Sequence, residues 1–195
     1  MWLVHRLDRE TSGVMMFAKS EELAARIRDS WNAITVKRYL ARVEGELPDE
    51  SGAFESYLRD DPKTMKVASV DDPKEGKFAR TEWRRVGAGR GWTLVEVTLK
   101  SGRKNQIRVH FSEACHPVVG DVKYGAAKAR RLFLHSCGLE FVHPATRRAV
   151  RWTAPADFAP PRDSTAGIDC GRDFLYTSPQ TPKTHYIKHK EVCSR

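Results

Sequence analysis

Apolar positions along this chain fall mostly into short alternating runs, and helical spacing interrupts them twice. Leu23, Ala24, Ile27 and Trp31 recur at helical intervals behind Ser20, a suitable N-cap, and Glu21 and Glu22 suit the positive end of the dipole. A helix is expected over residues 21–31. From Val36 to Val43 the period becomes two, with Lys37, Tyr39, Ala41 and Val43 on one side and Val36 and Leu40 on the other. Gly45 and Pro48 close this strand. Further strands are predicted at 79–86 and 92–99, joined by a Gly87-Ala88-Gly89-Arg90-Gly91 loop. No helix follows that loop, so it does not read as a phosphate cradle.

The remaining pattern is weaker. Val4 to Leu7 reads as the end of a short strand, and Val14 to Ala18 as a buried one. Residues 49–77 are polar, with strand-like pieces at 54–58 and 65–70, and predict a protruding, basic-edged hairpin region. A second helix is expected to start near Asn105, with Ile107, Phe111 and Ala114 facing the core. Arg108 lies just off that face, where a guanidinium would border core and cleft. A loop spans His116 to Gly125. Residues 131–142 form one long strand or a pair, and 147–153 a last strand. Together these elements predict an α+β fold, a mixed and mainly antiparallel sheet with a few flanking helices. One domain is expected over residues 1–158, followed by an irregular or disordered tail over 159–195, where sustained periodicity is lost.

Composition narrows the function. The 195 residues suffice for one domain with a real core, and a net charge of +9 favours a polyanionic partner. Nucleic acid is the commonest such partner, because neutralised phosphates release counterions. No helix-turn-helix or zinc-finger spacing supports a DNA-binding regulator. No apolar run approaches membrane-spanning length, and the first residues lack a secretory apolar stretch, so a cytoplasmic protein is expected. Cys115, Cys137, Cys170 and Cys193 form no CxxC pair, and free thiols are expected. His185, His189 and Cys193 recur every four residues, but a metal site would need a fourth ligand and a stable helix.

Chemistry concentrates at residues 4–13. Asp8 sits on a turn between Arg6 and Arg9, closed by Thr11, Ser12 and Gly13. Taken alone, Asp8 could be a turn former flanked by solvated arginines. With Tyr39 and Arg108 it becomes chemically suggestive. A buried carboxylate needs a cation to stay ionised, and a tyrosine offers a base a flat face and a hydroxyl.

Four blocks, HRLDRETSG, KRYLARVEG, GRKNQIRVH with HPVVGDVKYG, and RLFLHSCGLEFVHP, occur in this order and resemble the signatures of RluA-type RNA pseudouridine synthases. The resemblance covers about residues 3–155. It implies a sheet with a central RNA-binding cleft and a reaction that needs no metal or organic cofactor. It implies that Asp8 is the catalytic aspartate, that Tyr39 stacks on the target uracil, and that Arg108 pairs with the aspartate. Arg6 would help hold the target base out of its stack, and Leu134 would form an apolar wall of the pocket. Arg103, Gln106 and His110 would serve RNA binding. The implied partner is rRNA or tRNA, acted on by a monomer. Members of that family normally carry a segment ahead of the HRLD block, and His is frequent where this chain has Asn105. The alternative expectation is therefore a catalytically impaired RNA-binding protein of the same descent.

Overall fold

A computed structural model describes residues 1–159 and 184–186. Eleven strands and two α-helices are present among them. The strands β1 (Trp2–Leu3), β2 (Ser12–Gly13) and β3 (Phe17–Ala18) precede helix α1 (Glu21–Ile34). Then come β4 (Thr35–Glu44), β5 (Ser51–Asp61), β6 (Lys66–Val70), β7 (Lys77–Gly89) and β8 (Trp92–Leu99). Helix α2 (Gln106–Glu113), β9 (Leu134–Val142), β10 (Ala149–Thr153) and β11 (Thr184–Tyr186) complete the order. The main sheet runs β10-β9-β4-β8-β7-β5-β11, with β2 on β9 and β6 on β5, and β1 and β3 form a separate ribbon. Every pairing is antiparallel except β2 with β9 and β11 with β5. The α+β expectation therefore holds.

The core follows the alternation in β4. Ala41 and Val43 pack with Phe54, Trp83, Val95 and Val97 against Ile107 and Phe111 of α2, while Leu40 turns to the other face beside Leu94, Phe133 and Phe158. Helix α1 starts as expected, with Ser20 Oγ accepting from the Leu23 N–H (3.3 Å). It runs three residues past the expected end, to Ile34. Its Ala24 and Ile27 pack on Val4, Ala18 and Phe141.

Several local expectations are corrected. Val4 to Leu7 is not strand, the strand being Trp2–Leu3. Val14 to Ala18 is not one buried strand: only Phe17–Ala18 is strand there, and Met15 and Phe17 are 41% and 47% exposed. The physical reason is Gly13, which turns the chain at φ +119° and hands it from β9 to the β1–β3 ribbon. The glycine-rich loop shrinks to Arg90-Gly91, because β7 absorbs a bulge between Arg85 and Gly87 and pairs on to Gly89. The polar region after Asp49 is less protruding than expected, since β5 is a full member of the sheet and only β6 folds back on it. Residues 131–142 reduce to the single strand Leu134–Val142. Within the expected tail, Thr184–Tyr186 adds to β5 in parallel. His189 and Cys193 of the considered metal pattern lie outside the described residues, as do 160–183. Cys137 is buried and takes part in no disulfide, and Cys170 and Cys193 lie outside the described residues.

Gly13 is where the turn bearing Asp8 meets the sheet. A Cβ there would lie 2.2 Å from the Ser136 carbonyl oxygen, closer than any side chain tolerates. Val14 N–H donates to that same oxygen (2.9 Å). Gly13→Ala must push the turn off β9, and we expect a loss of about 1–3 kcal/mol from this strain. Chemical denaturation checks it: an unchanged midpoint would contradict this docking.

Candidate active site

The first block folds as a turn because Thr11 N–H donates to Asp8 O (2.9 Å), and it is pinned to β9 from one side. Arg131 donates to Ser12 Oγ, Ser12 Oγ contacts His135 Nδ1 (2.8 Å), and His135 Nε2 contacts Ala154 O (3.1 Å). Burial lowers the His135 pKa, which keeps a neutral ring able to accept at Nδ1 and donate at Nε2. The turn forms one wall of a cavity of about 750 Å³. Asp8, Thr11, Tyr39, Arg108 and Leu134 line it, along with Arg6, Arg103 and Gln106. Three chain segments far apart in sequence thus bring Asp8, Tyr39 and Arg108 to one cavity.

Tyr39 shares its face of β4 with Ala41 and Val43 and keeps its register with Val97 of β8. On the other edge β9 bulges opposite it, setting Ser136 and Cys137 against this one residue of β4. Its ring packs against the main core and its hydroxyl bonds to the Ser136 side chain. Burial, with the Asp8 charge adding, pushes the phenol up to about 12, so it stays neutral. Ser136 therefore touches both the turn and the tyrosine.

Arg108 lies deeper than its predicted place at the cleft border. Its Nε and Nη2 donate to the two oxygens of Asp121, each at 2.6 Å. The side chains are 6% and 0% exposed. Asp121, not Asp8, therefore receives the fork that the resemblance assigned to the catalytic aspartate. Asp121 was missed because it lies thirteen positions beyond Arg108, across a loop, a contact no periodicity encodes.

Asp8 is instead held by Asn105. With the Asn105 amide nitrogen toward the turn, it lies 3.0 and 3.2 Å from the two Asp8 oxygens. The Asn105 oxygen then accepts from Tyr124 Oη–H (3.0 Å), and Tyr124 Oη accepts from the Val67 N–H (3.0 Å). That orientation gives both ends of the Asn105 amide a partner and replaces a longer contact, 3.4 Å, from Arg108 Nη1 to the amide oxygen. Asn105 adopts φ +53°, a left-handed conformation that asparagine tolerates better than most residues. Burial pushes the Asp8 carboxyl above its usual range, against the nearby charges of Arg108 and Lys123. The carboxylate is therefore half-buried, oriented by an amide, and attracted by a cation without being neutralised by it.

The other anticipated residues divide. Arg6 and Arg103 line the cavity, Arg103 with its Nε donating to Phe78 O (2.9 Å). Gln106 reaches the cavity wall but is nearly inaccessible, bonded to Ser101 Oγ, Arg103 N–H, Arg80 O and Thr81 Oγ1. It shapes the loop before α2. His110 does not reach the cavity. It is 0% exposed, with Nε2 against Ser56 Oγ (3.0 Å) and Nδ1 against Thr81 Oγ1 (2.7 Å), and burial lowers its pKa to about 3. A fully buried neutral ring makes no contact with RNA; a histidine in a basic block misled the reading.

Comparison with known proteins adds an independent observation. Residues 2–113 match the RNA pseudouridylate synthase family. The chain is 36% identical over 159 residues to an uncharacterized RNA pseudouridine synthase of Chloroflexus aurantiacus, covering 78% of this chain and 49% of that protein. It is 35% identical over 170 residues to the ribosomal large subunit pseudouridine synthase C of Yersinia pestis, covering 80% and 52%. The chain thus spans about half the length of these relatives. Among solved structures, human RNA pseudouridylate synthase domain containing 1 superposes with a TM-score of 0.72 at 24% identity, over 82% of this chain and 70% of that one. A second human protein, RNA pseudouridylate synthase domain containing 4, gives 0.67 at 22%, over 79% and 70%. These two likenesses concern the fold.

Proposed function

Since the chain belongs to the RNA pseudouridine synthase family, RluA type, we propose that it isomerises uridines in structured RNA to pseudouridine, with Asp8 as the catalytic carboxylate. The observation that carries this reading is the placement of Asp8: one half-buried carboxylate facing a cavity, fixed by Asn105, beside Arg108 and lining the same cavity as Tyr39. A glycosidase of the usual kind needs two carboxylates flanking the bond, and the other carboxylate deep in this region, Asp121, is fully engaged by Arg108.

The chemistry asks little else of the protein. The C1′–N1 bond breaks, the uracil turns over, and C5 bonds to C1′; C5 loses its proton and N1 gains one. Atoms balance within the substrate, so no oxidant or energy source is consumed. An ionised Asp8 either attacks carbon or removes a sugar proton, and both roles need it charged. Arg108 favours that charged form, while burial keeps the carboxylate basic. Extracting the target base costs a few kcal/mol. The Tyr39 ring offers a stacking face, Leu134 an apolar wall, and Arg6 a cation near the vacated stack. Ribosomal RNA is the substrate class we favour, since several relatives carry ribosomal large subunit in their names.

The test is product identity. Uridine-containing rRNA transcripts incubated with the protein, then digested to nucleosides, should yield pseudouridine: unchanged mass and altered retention. RNA that is bound but returned unmodified would instead support the reading of an impaired RNA-binding protein.

A further inference from the structure

Lys37 lies one pleat before Tyr39 on the same face of β4, roughly 7 Å along the strand. It is 6% exposed, yet it lines the cavity. Its Nζ donates to Asn32 Oδ1 (2.7 Å), with Ser101 O at 3.4 Å. Both acceptors are neutral. Among the described residues no carboxylate pairs with it, and the charge that acts on it, Arg103, is also positive. His5, stacked on Trp31, adds no negative charge: its Nε2 accepts from the Met16 N–H (3.0 Å) and its pKa is down to about 4. A buried ammonium facing a cavity without a counter-ion is costly, and burial lowers its pKa to about 8. The wall around it is open: Gly102 is exposed, and a Cβ there would stand 3.7 Å from Lys37 Nζ and 3.6 Å from Asn32 Oδ1. The space beside Lys37 therefore admits a small group with two charged oxygens.

We propose that Lys37, Arg103 and the backbone at Gly102 form a subsite for one phosphodiester of the bound RNA strand, about one nucleotide from the base on Tyr39. This rests on the reading of the cavity as an RNA-modifying site and deepens it. The phosphodiester supplies the negative charge that the described residues withhold from Lys37. The strand would thereby be held by its backbone at the same β4 face that receives the base, which sets the register of the target uridine. A purely structural lysine, tying Asn32 to Ser101, would not need the cavity.

The experiment measures binding of a fluorescent dodecauridylate at pH 7 over a range of KCl, beside tritium release from 5-tritiated uridine in RNA. Lys37→Gln keeps a donor for Asn32 but loses the charge. Gly102→Asp sets a carboxylate near Lys37 from the protein itself, at a position where a Cβ meets only ordinary contacts. Each should lower the slope of log K against log salt by about 0.7, one single-strand phosphate, and Lys37→Arg should keep it. Gly102→Asp should also raise the thermal midpoint, and it stands alone if Lys37→Gln does not fold. Wild-type slopes in both Gly102→Asp and folded Lys37→Gln, with wild-type tritium release intact, would overturn the subsite while leaving the function standing. A wild type that neither binds with a salt-dependent slope nor releases tritium would overturn both.

Discussion

Arg108→Met should destabilise the protein by about 3–5 kcal/mol, because it leaves the fully buried Asp121 carboxylate without its two 2.6 Å partners. Most other ion pairs among the described residues lie nearer the surface, where one is worth about 1 kcal/mol or less. The double variant Arg108→Met/Asp121→Leu separates stability from chemistry. It replaces a buried ion pair by two apolar side chains and should recover most of the lost stability. Turnover should not recover with it, because Asp8 then faces the cavity without the nearby guanidinium that favours its charged form. Urea titration and initial rates on the same three proteins make the check. A single variant as stable as wild type would show that the Arg108–Asp121 pair does not brace the site. Full activity in the double variant would remove Arg108 from the reaction.

Asp8→Asn should lose at least about 10²–10⁴-fold in turnover while folding at least as stably as wild type. The direction of the stability change follows from the raised Asp8 carboxyl. The folded chain holds this proton more tightly than the unfolded chain. Its stabilising effect is full below an ordinary carboxylate value of about 4, and is lost as pH rises through the folded value. At neutral pH the ionised, half-buried carboxylate therefore opposes folding, and an amide of the same shape removes the penalty. The midpoint of Asp8→Asn should exceed that of wild type at pH 7, and the gap should close below about pH 4. Turnover of the wild type should fall on the acid side at a pH above the usual carboxylate range. A lower midpoint at pH 7 would mark Asp8 as a structural turn residue.

Much of this site is legible in the residues themselves. Alternation along β4 puts Tyr39, Ala41 and Val43 on one face, Ser20 opens α1, and Ile107 and Phe111 turn α2 inward. Those features are local, and local pattern encodes them. What escaped is set by contacts across the fold. The partner of Arg108 is Asp121, in a loop whose apolar pattern is uninformative. Asn105 reads as a helix cap, yet its side chain makes no capping bond and turns to Asp8. Lys37 shares a strand face with apolar residues, and only the fold reveals that the face opens on a cavity. His110 errs the other way: a basic block suggests an exposed ring, and the sheet buries it beneath Ser56 and Thr81. The residue types were visible in each case, and what they touch was not.

By the proposal above, a single carboxylate, Asp8, makes this cavity a uridine isomerase. Tritium release from 5-tritiated uridine in rRNA transcripts tests it most directly, because C5 must lose its hydrogen when it bonds to C1′. Wild type is expected to release tritium in step with pseudouridine formed, and Asp8→Asn to release none above background while still binding the RNA. Equal release by the two proteins, or none from a wild type that binds the RNA, would contradict the account.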